Sequence, residues 1–235
     1  LKSLFLCVSA LSVSGLILSG CTENANLNVG EWSLEYDAHA NGIDISKGSK
    51  LIYDNVYAAY KLADSVVSTR DYAKHHVSTK KINDYFGEGY HHYEVTYTGN
   101  NLPALVQSFY VYPAKDYVLT DFTLESTTEI ASNYMAPVNV DRMPEVLNQG
   151  ENNRALFIPF DNDCWIRYQS HPLTFTELTS YEVTAIFNND DREAVVVGSV
   201  EHDSWKTGIT IGKGNIYNVG SLVCYGGIAD KTTRD

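Results

Sequence analysis

The chain has 235 residues, 29 acidic against 17 basic side chains, and a formal charge of −12 at pH 7. Apolar residues make up 44% and charged ones 20%, which excludes a disordered acidic segment. The acidic balance also excludes nucleic acid as a partner, because phosphate contacts need clustered Lys and Arg. The densest basic stretch, Lys74 to Lys81, is interrupted by His, Ser and Thr. Aromatic content leans to Tyr, with 17 Tyr against 8 Phe and 3 Trp, a usage that suits β-sheets and sugar-facing surfaces.

Residues 1–20 read as a targeting segment. Lys2 is followed by the apolar run Leu4 to Leu18, which is too short and too rich in Ser for a membrane-spanning helix. The run ends in Leu18-Ser19-Gly20-Cys21, which resembles a bacterial lipobox and marks Cys21 for lipidation. Residues 21–30 are then a polar, Asn-rich tether, 31–228 one folded domain, and 229–235 a polar tail or the start of a linker to a further domain. The expected location is the cell envelope, with the membrane reached through the lipid alone. With Cys7 in the leader and Cys21 lipidated, Cys164 and Cys224 remain, either as a disulfide or as two buried thiols.

From residue 30 onward the sequence alternates with period two between turn signals. Trp32, Leu34 and Tyr36 share one face of a first strand. Ile43 and Ile45 lead into the turn Lys47-Gly48-Ser49-Lys50, and Leu51 to Leu62 reads as a further strand pair. His91 to Thr98 places Tyr93, Val95 and Tyr97 on one face. Leu105–Tyr112 and Tyr117–Glu125 form a hairpin around Pro113-Ala114-Lys115-Asp116. Ser126 to Asn153 is irregular and reads as a long loop, with a short helix open at Pro144–Asn148. Strands follow at Arg154–Pro159 and Trp165–Tyr168. A second hairpin joins Tyr181–Phe187 to Ala194–Val200 through the turn Asn188–Arg192, and Trp205–Ile211 and Ile216–Cys224 complete the series. About a dozen strands without crossover helices predict an all-β fold, a large antiparallel β-sandwich.

Few residues stand out chemically. Asp161 and Asp163 share a face at roughly 6.6 Å if extended, a glycosidase-like separation. The same Asp-Asn-Asp also reads as an Asx turn. Each of the doublets His75-His76 and His91-His92 splits across opposite faces of a strand, so a metal site needs one His from each plus a carboxylate such as Glu94. No Cys-x-x-Cys, nucleophile elbow or phosphate loop occurs, and no metal or cofactor is expected. The most informative block runs from Ser180 to Ile209: a hairpin, the polar corner His202-Asp203-Ser204, and a strand led by Trp205 and Lys206. There the indole offers a stacking platform while Asp203 and Lys206 supply hydrogen-bonding groups for a sugar ring. A core Trp beside a solvated Lys is the alternative.

That block, with Ala155 to Asp163 and Asn133-Tyr134-Met135-Ala136-Pro137, resembles the N-terminal β-supersandwich domain of α-galactosidase-like glycoside hydrolases, family 36 and its relatives. The resemblance implies a galactose-mutarotase-like sandwich that precedes a (β/α)8 barrel and docks on it. The catalytic Asp residues of that family lie on the barrel, in a Lys-Trp-Asp or Lys-Tyr-Asp setting that does not occur here. Trp165 and Trp205 are then the aromatic residues offered to a saccharide, with Asp203 and Lys206 beside them, and no residue of this chain is catalytic. The two functional expectations are the non-catalytic accessory domain of a glycoside hydrolase, as a truncated product that lacks the barrel, and a stand-alone glycan-binding lipoprotein without enzymatic activity. The partner in both is a glycan or oligosaccharide.

Overall fold

The structure is a computed structural model that describes residues 26–84, 87–144, 146–148, 150–160, 167–201 and 206–228. Seventeen strands form in chain order among these residues. The first half holds β1 (Leu27–Val29), β2 (Trp32–Asp37), β3 (Gly42–Lys47), β4 (Lys50–Leu62), β5 (Ser65–Ser68), β6 (Lys74–Asp84), β7 (Gly87–Thr98), β8 (Ala104–Val111) and β9 (Val118–Glu125). The second half holds β10 (Met135–Val140), β11 (Asn153–Phe157), β12 (Gln169–Pro172), β13 (Glu177–Tyr181), β14 (Val183–Asn188), β15 (Ala194–Gly198), β16 (Lys206–Gly212) and β17 (Leu222–Ile228). A 3-10 turn at Thr69–Asp71 is the sole helical element among the described residues.

All pairings are antiparallel and fall into three sheets. A long sheet runs β1-β2-β3-β4-β10-β17-β16-β13, with β5 also on β4. One four-stranded sheet runs β6-β7-β8-β9 and the other β12-β11-β14-β15. The fold is therefore an all-β sandwich, as the strand periodicity predicts.

The core forms where the β6–β9 sheet faces the long sheet. Tyr93, Tyr97, Leu105 and Phe109 have no solvent exposure, and Leu34, Ile43, Val56 and Tyr60 oppose them with none. Ring contacts join the two layers, Tyr36 to Tyr97 at 6.2 Å and Tyr60 to Phe122 at 6.5 Å. Each large side chain removed from water here contributes on the order of 1.5–3 kcal/mol before entropy is charged against it.

Two local devices connect the layers. β4 is one continuous strand, not the expected pair. Its first half pairs with β3 and its second with β5 and β10. The change falls at Asn55, which takes a left-handed φ of 53° while its amide donates to the Asp44 carboxylate at 2.8 Å. Asn tolerates that conformation, so the strand kinks without reversing. The second device is Glu182, with φ 68°, where β13 of the long sheet runs directly into β14 of the third sheet. The Ser180 and Thr184 hydroxyls on either side both donate to the Leu156 carbonyl, at 2.8 and 2.7 Å, and fasten that corner.

Several boundaries differ from the sequence reading. The expected loop over residues 126–153 contains β10, a strand in the middle of the long sheet. Pro137 lies inside it, and the register slips on both sides, between Met135 and Val138 against β17 and between Ala136 and Asn139 against β4. The bulge accommodates the missing N–H, while the Gln107 amide donates to the Pro137 carbonyl at 3.1 Å. No helix forms at the described residues of 144–148. Residues 216–218 belong to a turn in which the Asn215 carboxamide accepts from the amides of Tyr217 and Asn218, so the last strand starts only at Leu222. Of the expected strand Trp165–Tyr168, Arg167 and Tyr168 are not in a strand and β12 begins at Gln169. β6 and β13 are strands without a clean apolar alternation. The sandwich also takes in β1, whose Leu27 and Val29 are buried ahead of residue 31.

Candidate functional site

Of the residues singled out from sequence, Cys21, Asp161, Asp163, Cys164, Trp165, Asp203 and Trp205 lie outside the described residues. Lys206 is described. It opens β16 and holds its ammonium 4.6 Å from the centre of the Phe160 ring, which meets Tyr181 edge-on at 5.0 Å. The cation therefore rests on an aromatic face, with the candidate segments 161–166 and 202–205 adjoining Phe160 and Lys206 in sequence. Cys224 is buried, and burial pushes its thiol up to about 12, which makes it inert as a nucleophile.

The histidine doublets do not converge. His76 pairs with Thr96, four residues along β7 from His92, roughly 13 Å away. His75 packs instead on Tyr36, with ring centres 4.5 Å apart. Among the described residues no group of three His, Cys, Asp or Glu side chains could hold a metal ion.

A polar patch does assemble on the outer face of the β6–β9 sheet. Because Tyr93, Val95 and Tyr97 point into the core, His92 and Glu94 must point out. The register then builds two rows across the sheet. One is Lys80, His92, Tyr110 and Leu119, and the other is Ser78, Glu94, Ser108 and Asp121. The His92 ring lies flat on Tyr110, with centroids 4.8 Å apart and an interplanar angle of 3°. The Tyr110 hydroxyl donates to Asp121 Oδ2 at 3.0 Å. Glu94 and Asp121 flank Ser108, two strands or roughly 9.6 Å apart along the sheet.

The electrostatics of the patch are unbalanced. Loss of hydration raises the Asp121 carboxyl above its ordinary range. The Tyr110 hydrogen bond and His92 oppose that rise, and the Glu201 charge adds to it. Burial lowers His92, against the pull of Glu94. Its side chain is only 13% exposed, and Nε2 is buried without a hydrogen-bond partner, 3.9 Å from Glu94 Oε2. That distance is too long for a hydrogen bond. The patch therefore sets two carboxylates, which can accept from O–H or N–H donors, beside a stacked His–Tyr ring pair.

Sequence reading reached His92 and Glu94 only as metal ligands and passed over Ser108, Tyr110 and Asp121. The hairpin Leu105–Glu125 held the missing signal, since its outward positions are Ser108 and Tyr110 on one strand and Asp121 on the other. Their meeting with His92 and Glu94 depends on the β7–β8 register. Glu201, the last described residue before the corner His202-Asp203-Ser204, adds its charge to the field at Asp121. No protein-family model matches the chain, and no curated protein matches it.

Proposed function

We propose that this protein is a non-catalytic, glycan-binding β-sandwich of the cell envelope, anchored by lipid at Cys21. The observation that supports it is the outer-face patch, in which the His92–Tyr110 stack lies in the row beside the one that carries the Glu94 and Asp121 carboxylates. Trp165, Asp203, Trp205 and Lys206 belong to the same proposal through the sequence. The test is titration of the full chain with α-galactosyl oligosaccharides such as raffinose and stachyose by calorimetry. Binding that weakens about tenfold or more in Tyr110→Ala and Asp121→Ala is expected, a loss of roughly 1.4 kcal/mol. Unchanged binding in both variants would move the site elsewhere, and Trp165→Ala and Trp205→Ala then become the variants to measure. Cys21→Ser is expected to shift the protein from the membrane to the soluble fraction.

A second reading, an accessory domain of an α-galactosidase-like glycoside hydrolase, is favoured by Val196 and Val200. They are 64% and 70% exposed at and beyond the edge strand β15, an apolar strip suited to an adjoining domain. Hydrolysis of p-nitrophenyl α-galactoside by this chain alone is expected to be absent in both readings. The mass of the native protein on a blot separates them: a product well above that of 235 residues favours the accessory domain.

A further inference from the structure

On the outer face of the β6–β9 sheet one polar atom is out of place. His92 Nε2 is buried and unpartnered, although the Glu94 carboxylate on the same strand is 3.9 Å away and itself 26% exposed. In a neutral imidazole this nitrogen is either an acceptor facing a carboxylate that cannot donate or an uncharged donor, and in the structure it makes no bond to Glu94 in either form. A protonated ring changes the balance, because Nε2–H⁺ becomes a charge-assisted donor, and the Glu94 side chain needs to move only about 1 Å to reach the usual 2.7–2.9 Å. The stacked Tyr110 face favours the cation as well.

We infer that His92 and Glu94 form a proton-operated latch on the outer face of the sandwich, open when the imidazole is neutral and closed when it is protonated. The groups facing His92 are Lys80 from β6, Glu94 from its own strand, Tyr110 from β8 and Asp121 from β9, with Glu201 acting on Asp121 from the segment after β15. Burial of the ring, above all, and Lys80 oppose closure, while Glu94 and Asp121 favour it. Closing engages Glu94 with the imidazolium and withdraws an acceptor from the patch. Regulation of glycan binding by the latch rests on the function proposed above, whereas the latch itself does not.

The experiment is a pH titration of the full chain by NMR, following the His92 ring and the Glu94 carboxyl carbon, in the unaltered protein and in Glu94→Gln. The Glu94 signal is expected to show a second inflection at the His92 midpoint, and the His92 midpoint is expected to fall in Glu94→Gln. A Glu94 signal that stays silent through the His92 titration, or a midpoint unmoved by Glu94→Gln, overturns the latch. Glu94→Asp, which keeps the charge on a shorter arm, serves where the Gln variant folds poorly, with the second inflection lost and the midpoint largely kept. Raffinose titrations at about pH 7.5 and about pH 5 form the functional arm. Weaker binding at the lower pH, and no such change in Glu94→Gln, is the expected result. Absence of raffinose binding at both pH values counts against the glycan reading and leaves the NMR outcome to decide the latch.

Discussion

The interior of this sandwich carries more hydroxyl groups than a core of Leu and Ile would, and single residues show how they are handled. The Tyr60 and Tyr72 hydroxyls lie 3.0 Å apart, and Tyr72 donates onward to the Pro103 carbonyl at 2.7 Å. The Tyr93 hydroxyl, by contrast, is buried with no partner. Removing an unpaired buried hydroxyl while keeping the ring relieves a desolvation penalty. Tyr93→Phe is therefore expected to hold or raise stability, by up to about 1 kcal/mol, whereas Tyr60→Phe loses about 1 kcal/mol. Urea midpoints at constant slope measure both. A loss above about 2 kcal/mol in Tyr93→Phe would point to a bound water that the hydroxyl holds. Gly208 is a different kind of single-residue constraint. A Cβ there would come 2.6 Å from the Tyr225 ring, so Gly208→Ala is expected to cost about 1–3 kcal/mol. Repair by a smaller residue at position 225 would identify that contact as the cause.

Among the elements, β10 has the least regular sequence and one of the most central positions. It lies between β4 and β17 in the long sheet, and Asn139 and Pro137 both interrupt its pattern. The Asn139 carboxamide donates to the carbonyls of Tyr57 and Ala136, both at 3.1 Å, and replaces ladder bonds that the bulge removes. Gln107, with no exposure, reaches from β8 to the Pro137 carbonyl and ties the β6–β9 sheet to β10. Gln107→Leu fills similar space but leaves that carbonyl unpaired. A loss of about 1–3 kcal/mol is expected, with amide exchange rising in β10 before β8. Equal protection in both strands would show that the tie between the sheets does not depend on this bond. The hairpin β8–β9 needs no such device, because Val111 pairs directly with Val118 and its inward residues Leu105, Phe109 and Phe122 are all buried.

For the whole molecule, pH acts through groups whose environments differ most from water. His75 and His92 are both lowered, mainly by burial, so the unfolded chain binds more protons than the fold between their lowered values and about 6.5. Stability therefore decreases as pH falls through that window. Asp44 and Asp121 are raised, mainly by burial, so they cost stability once the pH rises through their folded values. Asp141 runs the other way. Burial raises it, but the hydrogen bonds from Arg70 and Tyr57 prevail and hold it below the ordinary range, so its contribution disappears as pH falls toward that lowered value. Melting temperatures are expected to decline between about pH 7 and pH 5, with a smaller decline in His92→Gln. An identical decline in that variant would assign the effect to His75 or to other groups. Asp121→Asn keeps an acceptor for the Tyr110 hydroxyl and removes the desolvated charge, so equal or greater stability is expected together with weaker glycan binding.

Alternation and turn chemistry by themselves determined the fold class, because residues such as Tyr93, Val95 and Tyr97 can bury together only on one face of a strand. The same logic located both hairpins, whose partners are neighbours in sequence. It did not locate β10, since Pro137 and Asn139 break the period that marks a strand. Their lost bonds are replaced by Gln107 and Tyr57, which are distant in the chain. β6 was hidden for a related reason: its Lys and His residues sit on an edge strand, where burial exerts little selection on pattern. Tertiary structure alone decided the candidate patch. His92, Glu94, Ser108, Tyr110 and Asp121 are ordinary outward residues on three strands, and only the pairing of β7 with β8 and of β8 with β9 sets them at neighbouring positions of one sheet face.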